Sequence, residues 1–152
     1  IADLFKNVSV LDKSARESLA TFSSGKGDVL LGYENEAILA QQKGEDLDYI
    51  VPDQTILIEN PVAATKTAKD PKLAQSFVDF LYTPEAQKIF VGKGYRPVVK
   101  DTPGADKFPT PTDLFDITKF GGWDKVNADF FDPEKGIVAK IFQDQGKSTE
   151  SG

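Results

Sequence analysis

The sequence contains no cysteine, no histidine and no methionine. Without cysteine the chain has no disulfide, no thiol nucleophile and no zinc site built on cysteine. Histidine is the commonest general base and a frequent ligand of catalytic metals, so its absence disfavours an enzyme, although enzymes without histidine exist. The chain starts at Ile1. Because a natural gene product starts with methionine, we expect a processed or truncated chain.

Long apolar runs and basic clusters are also missing. No segment is long and apolar enough to span a bilayer. The 152 residues carry a formal net charge of −6. Nucleic acid is therefore not expected as a partner, because its phosphates must be neutralised by lysine and arginine. An anionic ligand stays open, because backbone N–H groups at helix starts bind anions without a net positive charge.

The residues that are present predict a folded α/β chain. The hydrophobic fraction is 39%, and eleven residues are phenylalanine. Apolar runs predict extended strands at residues 8–11, 28–33, 47–51, 55–58 and 61–65. Helices are predicted at residues 12–22 and 34–44, each followed by glycine. Strands that alternate with helices in this way indicate a parallel sheet.

The second half of the sequence carries strong helix starts. Asp70-Pro71 and Thr83-Pro84 each place a capping residue before a proline at the first helical position. The residues between 101 and 111 contain three prolines and predict an ordered loop. A short strand at 114–117, a short helix opened by Gly121-Gly122-Trp123 and a last helix from Asp132 are predicted to follow. The small polar tail after Gly146 is expected to be frayed.

The start of the first predicted helix is the main candidate site. Ser14 is a natural N-cap, and Glu17 three residues later completes a capping box. The amides of Ala15 and Arg16 then have no acceptor within the helix, and together with the helix dipole they suit an oxyanion. Glu17 places a carboxylate in the same turn and opposes an anion, which Arg16 offsets.

Other polar clusters favour a structural interpretation. Residues 23–28 (SSGKGD) lack the spacing of a phosphate-binding loop and predict a turn between helix and strand. Glu34 and Glu36 point to different faces of a helix start and are interpreted as capping residues. The acidic residues of 45–48 do not match a calcium loop. Trp123 is interpreted as a core anchor, whereas Tyr33 ends a predicted strand, where ligands of open α/β sheets bind.

Several stretches taken together resemble the periplasmic sulfate-binding and thiosulfate-binding proteins. They are VLDKSARESLATF, GDVLLGYENEAIL, ENPVA, FVDFLYTPEAQKIF, GYRPV, FPTPTDLFDI and FGGWDKV, in that order along almost the whole chain. The combination of GDVLLGYENEA with FPTPTDLFDITKFGGW is the most specific part. This resemblance implies the type 2 periplasmic binding protein fold, in which two α/β lobes with mixed sheets, flanked by helices, close on a ligand.

The resemblance also implies a function, with no cofactor and no reaction. An extracytoplasmic solute-binding protein captures sulfate or thiosulfate between its lobes and delivers the anion to the membrane permease subunits of an ABC importer. Such a protein is periplasmic or extracellular, either free or anchored as a lipoprotein. In this family the anion is dehydrated and held by neutral donors. The matching positions here are Ala15, for a backbone N–H, and Tyr33, for a side-chain donor, beside Ser14 and Arg16.

The resemblance covers the C-terminal half of such proteins, so further donors and the rest of the first lobe are expected in a missing N-terminal half. Residues 1–58 would complete the second lobe. Residues 59–119 would form a return strand and helices packed on the first lobe, and residues 120–152 the C-terminal helices. Two alternatives stay open. One is an anion-sensing effector domain of a transcriptional regulator, and the other is a binding protein for another oxyanion such as molybdate.

Overall fold

The computed structural model describes residues 1–146, so the predicted frayed tail lies outside the described residues. Seven α-helices lie within that range: Ala2–Lys6 (α1), Ala15–Ser23 (α2), Glu34–Gln42 (α3), Pro71–Leu81 (α4), Pro84–Gly92 (α5), Trp123–Val126 (α6) and Ile137–Asp144 (α7). Two short strands are Gln54–Ile56 (β1) and Asp113–Phe115 (β2). Short 3₁₀ turns span Ala105–Lys107 and Ile117–Phe120, and α6 continues into a π-helical turn, Asn127–Phe131.

The predicted helix starts at Asp70 and Thr83 are confirmed, because local hydrogen bonds fix them. The Asp70 carboxylate accepts a hydrogen bond of 2.9 Å from the Leu73 amide. The Thr83 hydroxyl accepts one of 3.3 Å from the Ala86 amide. Each cap is followed by a proline at the first helical position, where a missing N–H costs nothing. These two starts set the helical hairpin of α4 and α5.

The two strands form one parallel ladder. Gln54 pairs with Asp113 and Ile56 with Phe115. The ladder extends one residue beyond the end of β1, since the Leu57 amide donates to the Phe115 carbonyl at 2.7 Å. The predicted extended segments at 55–58 and 114–117 overlap these strands, which pair in parallel.

The strands predicted at 8–11, 28–33, 47–51 and 61–65 are wrong. These residues have no strand assignment. A strand needs a neighbour to satisfy its backbone groups, and within residues 1–146 none of these segments pairs with one. Val29, Leu31 and Ile50 are 79%, 74% and 88% exposed, so their apolar pattern is not matched by burial in the described structure.

The chain divides into two compact units. Within the described residues, unit one contains Ile1–Leu11, Asp53–Ile58 and residues 112–146, and unit two contains Asp12–Pro52 and Glu59–Pro111. The lobe boundaries predicted after residues 58 and 119 refer to a longer two-lobed protein, and they stay a prediction.

Unit one is held by aromatic contacts between its helices and strands. The rings of Phe5 in α1 and Phe142 in α7 meet edge to face with centroids 5.7 Å apart. Phe115 in β2 meets Phe120 in the same way at 5.7 Å. Such pairs contribute about 0.5–1.5 kcal/mol beyond their buried area.

The last helix starts later than predicted from Asp132. The Asp132 carboxylate accepts hydrogen bonds from the Glu134 and Lys135 amides and so closes a turn before the helix. These bonds hold the pKa of Asp132 below its ordinary value. Gly136 then caps α7 where no side chain fits, because a Cβ there would lie 2.5 Å from the Asp132 carbonyl oxygen.

Unit two is centred on α3. Ile38 packs in its core with Val91 of α5 and Phe108, and Tyr49 lies against them. Burial raises the pKa of the Tyr49 phenol, and the charge of Glu34 adds to the shift. Gly94 lets the chain pass close to α3, because a Cβ there would approach the Asn35 Cα at 3.1 Å and its φ is +82°.

Large apolar side chains of α4 are exposed in the described structure. Leu73 is 67% exposed and Phe77 58% exposed, and no residue of α4 is fully buried. Among the residues that the structure describes, no helix is both long and apolar enough to cross a membrane.

The buried Gln87 of α5 generates a stability prediction. Its Nε2 donates to the Leu81 carbonyl at 2.6 Å, and its Oε1 accepts from the Val98 amide at 2.9 Å. Gln87→Ala leaves both backbone groups without this partner. We expect the free energy of unfolding, measured by urea titration, to fall by about 1–3 kcal/mol, because each of the two lost hydrogen bonds contributes about 0.5–1.5 kcal/mol.

Lys88→Ala is the matched control for Gln87→Ala. Lys88 is the next residue of α5 and is exposed. Its replacement is expected to change stability by less than about 0.5 kcal/mol, as is usual for surface positions. Equal effects of the two replacements would contradict the role assigned to Gln87.

Candidate functional site

The start of α2 has the predicted N-cap but only half of the predicted capping box, because among the described residues the Glu17 carboxylate accepts no hydrogen bond from the Ser14 amide. Ser14 is the N-cap, and its Oγ accepts a hydrogen bond of 3.2 Å from the Glu17 amide. The amides of Ala15 and Arg16, at the first two helical positions, have no acceptor within the helix. They lie at the N-terminus of α2, which is the positive end of the helix dipole and favours an anion.

The Arg16 side chain is already paired. Its Nε donates to one carboxylate oxygen of Glu36 at 2.8 Å, and its Nη2 donates to the other at 3.1 Å. This bidentate ion pair, or fork, fixes both the distance and the orientation of the planar guanidinium and carboxylate groups. The hydrogen bonds to Glu36, and then its charge, raise the pKa of Arg16 above the ordinary value, so the guanidinium stays protonated.

Glu36 lies in the first turn of α3, so the fork joins the starts of two helices. The residue is only 8% exposed, although it carries a charge. Its position near the positive end of the α3 dipole and its bond with Arg16 together stabilise that charge. The structure thus brings Arg16, together with the neighbouring Ser14 and Ala15, to the N-terminus of α3, where Tyr33 is the N-cap.

Tyr33 occupies the N-cap position of α3 but caps nothing with its side chain. Its carbonyl accepts from the Glu36 amide at 3.1 Å, whereas its side chain stands 52% exposed. Among residues 1–146 no hydrogen bond joins the Tyr33 hydroxyl to Ser14, Ala15 or Arg16. The phenol is therefore open to a ligand or to another part of the protein.

A second fork, which was not predicted from the sequence, lies on the same helix turn. Arg96 donates to both carboxylate oxygens of Glu34, at 2.7 and 3.0 Å, and also to the Pro109 carbonyl at 2.7 Å. Its guanidinium lies 5.3 Å from the centroid of the Phe108 ring. Glu34 and Glu36 point to different faces as predicted, but each is a partner of an arginine rather than only a capping residue.

A signal for both forks is present in the sequence. The chain has 18 lysines and arginines, of which only Arg16 and Arg96 are arginine. Arginine binds carboxylates in a bidentate way that lysine cannot reproduce. Two arginines in a chain that otherwise uses lysine therefore indicate two specific carboxylate partners.

The remaining polar clusters offer no better site. The Ser23 hydroxyl donates to the Glu45 carboxylate, as fits the predicted turn. An open groove of about 430 Å³ beside it is lined by Phe22, Ser23, Gly27, Glu45, Asp46 and Leu47. Its two carboxylates disfavour an anion. No group of three or more potential metal ligands occurs in the described part of the chain. Trp123, interpreted as a core anchor, is instead 63% exposed.

The chain is similar to known solute-binding proteins. A profile of the family described as bacterial extracellular solute-binding protein matches residues 1–96. A sulfate-binding protein of Synechococcus elongatus is 46% identical over 138 residues, which cover 85% of this chain and 39% of that protein. A thiosulfate-binding protein of Escherichia coli is 36% identical over 137 residues, covering 83% of this chain and 40% of that protein.

A solved structure is similar over the same region. The sulfate-binding protein SubI from Mycobacterium tuberculosis H37Rv matches with a TM-score of 0.76 and 40% sequence identity, covering 84% of this chain and 45% of that one. This similarity confirms the predicted fold class. The chain spans about two fifths of the length of the curated relatives that it matches.

The cap at Ser14 generates a prediction that needs no ligand. Ser14→Ala removes the acceptor of the Glu17 amide, and we expect the free energy of unfolding to fall by about 1 kcal/mol. Ser14→Asp keeps an acceptor at the same place and is expected to retain the stability of the unmodified protein. Urea unfolding measures the stability of both variants. Equal stabilities would show that an acceptor at position 14 does not stabilise the helix start.

Proposed function

The chain belongs to the family of bacterial extracellular solute-binding proteins, and from that premise we propose that it takes part in the capture of sulfate or thiosulfate for import. The observation that carries the proposal is the start of α2. It presents two amides without helical acceptors, while the nearest guanidinium is already paired with Glu36. The names of the relatives support the choice of ligand.

The proposed site binds its anion through neutral donors. The Ala15 amide, with that of Arg16 beside it, and the Tyr33 hydroxyl each donate one hydrogen bond. Ser14 caps the helix start, and Arg16 connects it to α3 through Glu36. Hydrogen bonds to a charged partner are stronger than those between neutral groups, so a few well-placed donors can replace part of the water shell of a dianion.

We propose further that the complete site needs more than this chain. Since the chain spans about two fifths of the relatives' length, the remaining donors would come from the rest of a two-lobed protein. Lobe closure would bury the anion, and the closed form would dock on the membrane permeases of an ABC importer. This function is extracytoplasmic, and the means of any attachment to the membrane is a separate question.

The similar proteins are named as binding proteins, which favours this function over an effector domain of a transcriptional regulator or an enzyme. Molybdate and other oxyanions are ligands to be compared in the same experiment.

The first test is calorimetric titration of sulfate into the full-length protein that contains this chain. Tyr33→Phe removes only the hydroxyl. We expect sulfate to bind the unmodified protein and to bind the variant about 10- to 100-fold more weakly, since a hydrogen bond to a charged group contributes about 1.5–3 kcal/mol.

The matched control is Tyr82→Phe. Tyr82 follows α4, and its side chain is exposed to a similar degree, 57%. We expect its replacement to leave sulfate affinity unchanged. If both variants bind like the unmodified protein, Tyr33 is not a donor. If no oxyanion binds a protein shown to be folded, the proposed function is wrong.

Phosphate provides a test of the donor-only site. Sulfate is a dianion without a proton near neutral pH, whereas hydrogen phosphate carries an O–H that finds no acceptor there. We expect phosphate to bind about 10- to 100-fold more weakly, because a buried donor without a partner costs about 1–3 kcal/mol. Competition titrations at about pH 7.5 measure the ratio, and equal affinities would disprove a site built only of donors.

A further inference from the structure

Both arginines of the chain form ion pairs with carboxylates in the first turn of α3. Arg96 reaches Glu34 from the loop after α5, and Arg16 reaches Glu36 from the first turn of α2. The forks are similar in geometry but differ in what they connect. Only the Arg16–Glu36 fork joins the two helix starts that carry the proposed donors.

The surroundings of Glu36 show how firmly this fork is held. Its side chain is 11% exposed, against 64% for Arg16, so the carboxylate is the fixed end of the pair. Asn35 adds a long contact of 3.4 Å from its Nδ2 to the same carboxylate. Two parallel hydrogen bonds between planar groups leave little freedom in distance or rotation.

A buried carboxylate such as Glu36 is unfavourable near an anion site, because its charge repels the ligand. A hydrophobic residue would fill the same space without that repulsion and often without loss of stability. The fork removes the repulsion by cancelling the charge, and it adds a rigid link that a hydrophobic contact does not provide. The link connects Arg16, next to Ala15, with the turn that begins at Tyr33.

We propose that Glu36 is a positioning residue for the oxyanion site, holding the first turn of α2 against the first turn of α3 through Arg16. This inference rests on the proposed function. The fork sets the spacing between the Ala15 amide and Tyr33, so that both donors meet one tetrahedral anion. Glu36 itself touches no ligand.

A double-mutant cycle in the full-length protein separates positioning from simple charge effects. Its members are Glu36→Gln, Arg16→Met and the double variant, each titrated with sulfate at about physiological ionic strength. Every member removes the bidentate pair, because a glutamine side chain offers only one acceptor oxygen and methionine offers no donor. Positioning therefore predicts that all three bind sulfate about tenfold more weakly and by similar amounts, as is typical of residues that orient a binding group.

A charge effect predicts a different pattern. Glu36→Gln would leave the Arg16 guanidinium without its counter-charge and strengthen sulfate binding. Arg16→Met would leave the Glu36 carboxylate without its counter-charge and weaken sulfate binding. The double variant would bind sulfate like the unmodified protein. That pattern overturns the inference. So does an unchanged affinity in Arg16→Met, whose largely exposed side chain makes this variant suitable if Glu36→Gln fails to fold.

Glu34→Gln is the matched control. It breaks the other fork on the same helix turn, whose arginine does not come from α2. We expect a lower melting temperature but a sulfate affinity within about threefold of the unmodified protein, since no proposed donor is displaced. An equal loss of affinity in Glu34→Gln and Glu36→Gln would show that both act only through stability, and it overturns the inference.

The unmodified protein is titrated first, so that the two proposals fail in distinguishable ways. Absence of oxyanion binding there overturns the proposed function, and with it the role of Glu36. Binding there, combined with normal affinity in the cycle, overturns the role of Glu36 alone.

Discussion

The first turn of α3 is the constraint on which unit two depends. Its two carboxylates, Glu34 and Glu36, are each held by an arginine from a different part of the chain. The same helix supplies Ile38 to the core and accepts the close approach of Gly94. The segments that surround α3 are therefore fixed relative to one helix, rather than to one another.

This arrangement also governs the charge around the candidate site. A guanidinium next to an anion would attract any anion, and a carboxylate there would repel every one. Pairing Arg16 with Glu36 leaves the amides of α2 and the helix dipole as the local attraction, opposed by the Glu17 carboxylate in the same turn. Backbone amides are fixed in direction, so at the proposed site selection among anions would depend on shape and protonation more than on net charge.

The sequence predicted what depends on near neighbours and failed where a partner lies far away. The caps at Ser14, Asp70 and Thr83 each involve residues three positions apart, and all three were predictable. The strand predictions at 28–33 and 47–51 rested on apolar pattern alone, and a pattern cannot show whether a neighbouring strand is present. The interpretation of Glu34 and Glu36 as caps failed for the same reason, because their arginines are 62 and 20 positions away.

The parallel ladder of β1 and β2 has a consequence for the order in which the chain folds. Everything from Leu57 to Thr112, including α4 and α5, lies between its two strands in the sequence. Bringing such distant strands together costs chain entropy before their few hydrogen bonds form, whereas helices form from local contacts. The helical hairpin can therefore form early and shorten the loop that remains to be closed, so the two-stranded ladder becomes stable after α4 and α5.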